Sequence, residues 1–208
     1  MKANGIKDWL LLCCVTAWLP AHAGEISVDL RDLQGNPLAD GVIFAEPVSG
    51  AQPPAQMPHA TIDQVNKQFV PRISVLRAGT EVVFPNSDNI RHSVYSFSPA
   101  KVFTTKLYAG KQAPPITFDK AGVIVLGCNI HDQMLAWVVV VDTPHFVKSG
   151  ADGAAVLKGL PAGEYRLSAW YPGLDQPTTE NVKVTGEGQL TRQMRVDTSR
   201  SPLTKAPT

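Results

Sequence analysis

The chain has 208 residues, with 19 Lys and Arg against 18 Asp and Glu, 44% apolar residues and 18% charged ones. Such a balance supplies no electrostatic footprint for nucleic acid or an anionic membrane surface, and the apolar content excludes a compositionally disordered chain. The length suits one large domain or two small ones.

Lys2 and Lys7 precede the apolar run Trp9 to Leu19, which is followed by Ala21-His22-Ala23. This reads as an export leader (1–23) cut after Ala23, since the run falls well short of the ~20 residues a membrane-spanning helix needs. The expectation is a periplasmic mature chain without membrane insertion. Its acidic and basic residues become equal in number once Lys2, Lys7 and Asp8 are removed. Cys13 and Cys14 lie inside the apolar run rather than after it, which argues against a lipid anchor. Cys128 is then a lone cysteine in an oxidising compartment, either buried and inert or bound to something.

Past the leader, short alternating or β-branched runs follow one another. They are Ile26 to Leu30, Gly41 to Ala45, Arg72 to Leu76, Glu81 to Phe84, Ser93 to Phe97 and Ile116 to Asp119, then Val123 to Leu126, Ala136 to Val141, Ala154 to Leu157, Tyr165 to Ala169 and Asn181 to Val184. Turn signals such as Gly35-Asn36-Pro37, Lys120-Ala121-Gly122 and Tyr171-Pro172-Gly173 part them. No window holds three turns of helical period, so the expected fold class is all-β, built as a sandwich. Ser49 to Pro58, rich in Pro, Ala and Gln, reads as a linker, and 198–208 as a flexible tail.

The chemistry gathers after the strand Val123 to Leu126, in Gly127-Cys128-Asn129-Ile130-His131-Asp132-Gln133-Met134. A thiolate, an imidazole and a thioether on one loop favour copper over hard cations, and two His with one Cys and a distant Met is the blue-copper set. The spacing C-x2-H-x2-M supplies Cys128, His131 and Met134, so a second histidine must come from elsewhere. His92 is the natural candidate, between the turn Pro85-Asn86-Ser87-Asp88 and the strand Ser93 to Phe97; the bland alternative is a turn histidine satisfied by Asp88. Asn86 and Asp88 themselves suit side-chain-to-backbone bonds that shape the turn. His59 and His145 adjoin prolines and read as solvated, although His59 with Asp63 leaves room for an accessory ligand. Phe84, Phe97 and Trp137 read as core.

Three other readings use the same residues. A Cys128–His131 thiol–imidazole pair would be an enzyme, but no orienting acid or oxyanion loop accompanies it. A structural zinc site would favour more thiolate and imidazole and rarely takes methionine. A copper carrier without an electron-transfer role would tend towards an open Met- or Cys-rich site.

On these residues the chain resembles the cupredoxins. Thr80 to Val94, with its Pro-Asn turn and His-Ser-Val, is similar to the first-histidine segment of plastocyanins and amicyanins, and Asp63 to Pro71 to the stretch between their opening strands. Gly122 to Met134 resembles their final strand and ligand loop, with spacing closest to amicyanin. Residues 60 to 142 also resemble bacterial exported proteins labelled methylamine-utilisation or plastocyanin-like. The resemblance implies a Greek-key cupredoxin β-sandwich over 56–142 and one type 1 copper per chain, held by His92, Cys128, His131 and Met134. It further implies an electron carrier rather than an enzyme, with a redox protein as donor and another as acceptor. One departure is Ser93, where these proteins usually carry an Asn that bonds across to the cysteine loop; a hydroxyl can make one such bond.

Gly24 to Ala45, and Gly150 to Gly153 with Leu160 to Leu167, resemble the two halves of a small carboxypeptidase-regulatory or carbohydrate-binding-like sandwich. The expected second module therefore spans 24–50 and 143–197, with Gly24 to Ala45 pairing with His145 to Val196. A weak carbohydrate contact through Trp170 and Tyr171 is one reading of that module; a rim or core role for both is the other.

Overall fold

The structure, a computed structural model, describes residues 23–50, 58–110, 113–186 and 188–203, and every regular element in it is a strand. The expected leader, most of the linker and residues 204–208 of the tail lie outside the described residues. In chain order the first strands are β1 (Gly24–Asp32), β2 (Val42–Pro47), β3 (His59–Thr61), β4 (Asp63–Val65), β5 (Gln68–Val70) and β6 (Ile73–Arg77). Then come β7 (Thr80–Val83), β8 (Tyr95–Ser98), β9 (Lys101–Thr104), β10 (Ile116–Phe118), β11 (Gly122–Gly127) and β12 (Leu135–Val141). The last are β13 (Phe146–Lys148), β14 (Ala154–Leu160), β15 (Gly163–Trp170), β16 (Thr178–Val184) and β17 (Gln189–Val196). No described helix is long and apolar enough to cross a membrane.

Four sheets, ordered β14-β1-β17, β13-β2-β15-β16, β6-β12-β11-β8-β9 and β10-β7-β3, share three apolar layers, while β4 and β5 form a separate hairpin. β1 alternates buried and half-buried residues, the period of a strand with one face on a core, and places Ile26, Val28 and Leu30 against Leu167 and Ala169 of β15. The other face of that second sheet, through Val42, Phe44 and Trp170, meets Ile73, Trp137, Val139 and Val141. The third layer joins Ala136, Val138, Val140, Ile124 and Leu126 to Val82 and Phe118. Because β12 is covered on both faces it carries an unbroken apolar run instead of an alternating one.

The strands before residue 50 pair with strands after residue 145. β1 runs antiparallel to β14 and parallel to β17, and β2 lies between β13 and β15. Trp170 and Tyr171 are buried, so they belong to the core and offer no face to a sugar. Two expectations are corrected. The tail expected from Thr198 is packed through Leu203, with Thr198 and Ser201 buried and Leu203 against the core, because the segment lies over the Gly173 turn. Phe97, expected in the core, is 77% exposed. Its register opposite Val102 turns it to the outer face of the five-stranded sheet.

Candidate metal centre

β11 ends at Gly127 and β12 begins at Leu135, so the connection between two core strands holds Cys128, His131 and Met134. The Met134 amide donates to the His131 carbonyl at 2.9 Å, which closes this loop. Cys128 and Met134 are both buried in the same apolar cluster. His92 reaches them from the connection between β7 and β8 and is fully buried. The thiol of Cys128 and one ring nitrogen each of His92 and His131 lie within 4.8 Å of one another. His92 Nδ1 is 3.2 Å from His131 Nδ1 and 3.9 Å from Cys128 Sγ.

The proton on His92 follows from its other side. Its Nε2 sits 2.7 Å from Asp88 Oδ2, and an ionised carboxylate only accepts, so the neutral ring carries its hydrogen on Nε2. Nδ1 is left as a lone pair aimed at the thiol and at His131. Two imidazole nitrogens and a sulfur converging on one point suit a soft or borderline cation better than Mg²⁺ or Ca²⁺, and the set fits copper.

Asp88 is itself fixed. The amides of Asn66 and Lys67 donate to its two oxygens at 2.6 and 2.9 Å. Asn66 and Lys67 form the two-residue turn between β4 and β5, both with positive φ (52° and 57°), the backbone of a type I′ hairpin turn. Burial pushes the Asp88 carboxyl up, but hydrogen bonds from Lys67, His92 and Asn66 outweigh it and hold the group below the usual carboxylate range. Asn86 accepts from the Asp88 amide at 3.0 Å and donates to the carbonyls of Ile90 and Tyr108, as its turn role requires. Carboxylates behind a ligating histidine orient the ring and raise its basicity, and losing one typically costs about ten- to a hundred-fold in metal affinity. Asp88→Ala is therefore expected to weaken copper binding by about that factor in a chelator competition, and Asp88→Asn, which keeps an acceptor, by less.

The two ligand-bearing segments are also tied directly. Ser93 Oγ accepts from the Asn129 amide at 3.2 Å, so the hydroxyl makes the cross-loop bond expected where an Asn is usual. His59 stands on β3, exposed, 3.3 Å from Glu81, while Asp63 accepts from Ser87; neither joins the cluster. His145 is half-buried beside Tyr165 rather than solvated, and burial pushes its pKa down. Sequence reasoning missed Tyr108 and Gln64. The Tyr108 backbone pairs both ways with that of His92, its hydroxyl donates to the Phe84 carbonyl at 2.8 Å, and Gln64 Nε2 donates to that hydroxyl. Leu107-Tyr108-Ala109 carries no local pattern that announces this.

Models of protein families and curated protein sequences give no match to this chain. Among solved structures, a copper-containing nitrite reductase from Thermus scotoductus SA-01 is similar at 28% identity over 46% of this chain and 25% of its own, with a TM-score of 0.38. This chain thus spans a quarter of that enzyme's length. A purple cupredoxin from Nitrosopumilus maritimus matches at 22% identity over 39% of this chain and 99% of its own, with a TM-score of 0.35. A reduced tryptophan-to-tyrosine variant of amicyanin matches at 20% over 47% and 99%, with a TM-score of 0.37. The fold itself is all-β.

Proposed function

We propose that this chain is an exported, mononuclear type 1 copper protein that carries single electrons between a donor and an acceptor redox protein in the periplasm. The observation that carries the reading is the convergence of His92 Nδ1, Cys128 Sγ and His131 Nδ1 in a buried site within 4.8 Å. Met134, buried in the same apolar cluster as Cys128, is the proposed weak fourth ligand. Copper bound there supplies a reversible one-electron couple.

The protein's own part is to change little when that charge changes. Burial of His92 and Cys128 excludes water, the Asp88 carboxylate holds the His92 ring, and the Ser93–Asn129 bond ties one ligand segment to the other. His131 is only half-buried, and its ring is the proposed edge towards solvent. A set completed by Met134 has no open position for substrate, which is why the reading is a carrier and not an enzyme. We read the flanking sheets as one discontinuous module, 24–50 with 143–197, around a copper domain at 56–142. Its apolar contact with β6 and β12 would stiffen the sheet that bears the ligand loop.

Saturation of the chain with Cu(II) tests the reading. An intense visible thiolate-to-copper band that saturates at one copper per chain is expected, whereas tight but colourless binding would favour the carrier without electron transfer. Met134→Leu is expected to keep the band and raise the potential, because Cu(II) loses a donor while the equatorial three remain. An unchanged spectrum and potential would make Met134 a packing residue.

A further inference from the structure

We infer that the open half of the five-stranded sheet is a docking surface for a redox protein that presents apolar side chains within an acidic rim, and that Tyr95 and Phe97 connect it to Cys128. This rests on the copper reading above and names a partner surface for that site. In register across the sheet, Trp137 stands beside Val125, Leu135 beside Gly127, Gly127 beside Tyr95, and Phe97 beside Val102, so all of these share one face. On β6 and β12 that face is covered by Val42, Phe44 and Trp170. Val123 of β11 still packs against that layer, and beyond it, from Val125 across β8 and β9, the same face continues uncovered within the described residues, with Phe97 at 77%, Val102 at 65% and Val125 at 38% exposure. A hollow of about 240 Å³ lies there between Tyr95, Phe97, Val125 and Leu135. Exposed aromatic and aliphatic side chains in one continuous patch, adjoining a face that already binds apolar side chains, mark a protein contact.

The patch reaches the site at Gly127. A Cβ there would lie 2.6 Å from Cζ and Oη of Tyr95, so the absence of a side chain is what lets the ring settle on the residue next to Cys128. The Tyr95 and Phe97 rings are 5.1 Å apart between centroids. The sulfur, the Gly127 backbone, the Tyr95 ring and the exposed Phe97 ring thus form a short route that leaves by the sheet, whereas His131 leaves by the loop. In the transfer one electron passes from the reduced site to the partner's oxidised one-electron group; no bond is made or broken and no proton moves. Charge selects the partner. From Arg91 to Lys106 the chain has Arg91, Lys101 and Lys106 and neither Asp nor Glu, and although Lys101 pairs with Asp119, Arg91 and Lys106 are exposed.

The test mixes reduced, copper-loaded chain with an oxidised, acidic c-type cytochrome in stopped flow, comparing wild type, Phe97→Asp, Val102→Asp and Ile130→Asp. Phe97→Asp and Val102→Asp should each slow the second-order rate about tenfold or more with the visible spectrum unchanged, Ile130→Asp by less than about threefold, and the wild-type rate should fall with added salt. Rates within about twofold of wild type for both sheet variants, or a larger loss for Ile130→Asp, overturn the inference in favour of the loop edge. A wild-type dimer that Phe97→Asp converts to monomer without slowing transfer overturns it in favour of a second copy. Absence of the visible band in wild type refutes the copper reading itself, and this inference with it.

Discussion

Cys128→Ser is expected to abolish the visible charge-transfer band and leave at most weak, colourless Cu(II) binding. The band requires a covalent sulfur donor, and a serine hydroxyl at the same place stays protonated and hard. The packing cost is modest, since the side chains are close in size, so the variant should remain folded and the loss should be chemical. Cys128 is buried at the junction of β11 and its loop, with the His92 nitrogen 3.9 Å away. Far-ultraviolet circular dichroism matching wild type, alongside a bleached visible spectrum, is the expected pair of results; a retained band would remove Cys128 from the site.

Trp170→Ala should be the most destabilising single change, by about 3–5 kcal/mol in denaturant unfolding. Trp170 is fully buried in the apolar layer that holds the second sheet against Ile73, Trp137 and Val139, and its indole N–H donates to the Leu174 carbonyl at 3.1 Å. Alanine leaves a cavity that two β-sheet faces cannot easily close, and it orphans that carbonyl. In a chain this long such a loss lowers the melting midpoint by roughly 10 °C. The copper spectrum should persist, because none of the candidate ligands lies in that layer. A cost below about 1 kcal/mol would mean that Trp170 does not hold the second sheet against the five-stranded one.

The candidate site was legible where it is local. Cys128, His131 and Met134 occupy one interstrand loop, so their spacing alone displays the donor set. His92 was legible through its turn, and the two readings of it, ligand and partner of Asp88, prove compatible because each uses a different ring nitrogen. What escaped is long-range. The run Ser93 to Phe97 was legible as a strand but Phe97 was expected in the core, because only pairing across the whole sheet decides that the second sheet covers β6 and β12 and stops short of β8 and β9. Tyr108 and Gln64 support His92 from distant segments for the same reason. The start of the tail, 198–203, was misread because polar composition says little when a turn such as Gly173 lacks a side chain and lets a strand-free segment pack on it.

The most direct test of the central claim is the electron paramagnetic resonance spectrum of the chain loaded with one equivalent of Cu(II). A trigonal site with a thiolate delocalises the unpaired spin onto sulfur, so the account predicts a strongly narrowed parallel copper hyperfine splitting together with the intense visible band. An ordinary tetragonal signal with wide hyperfine splitting and no such band would contradict it.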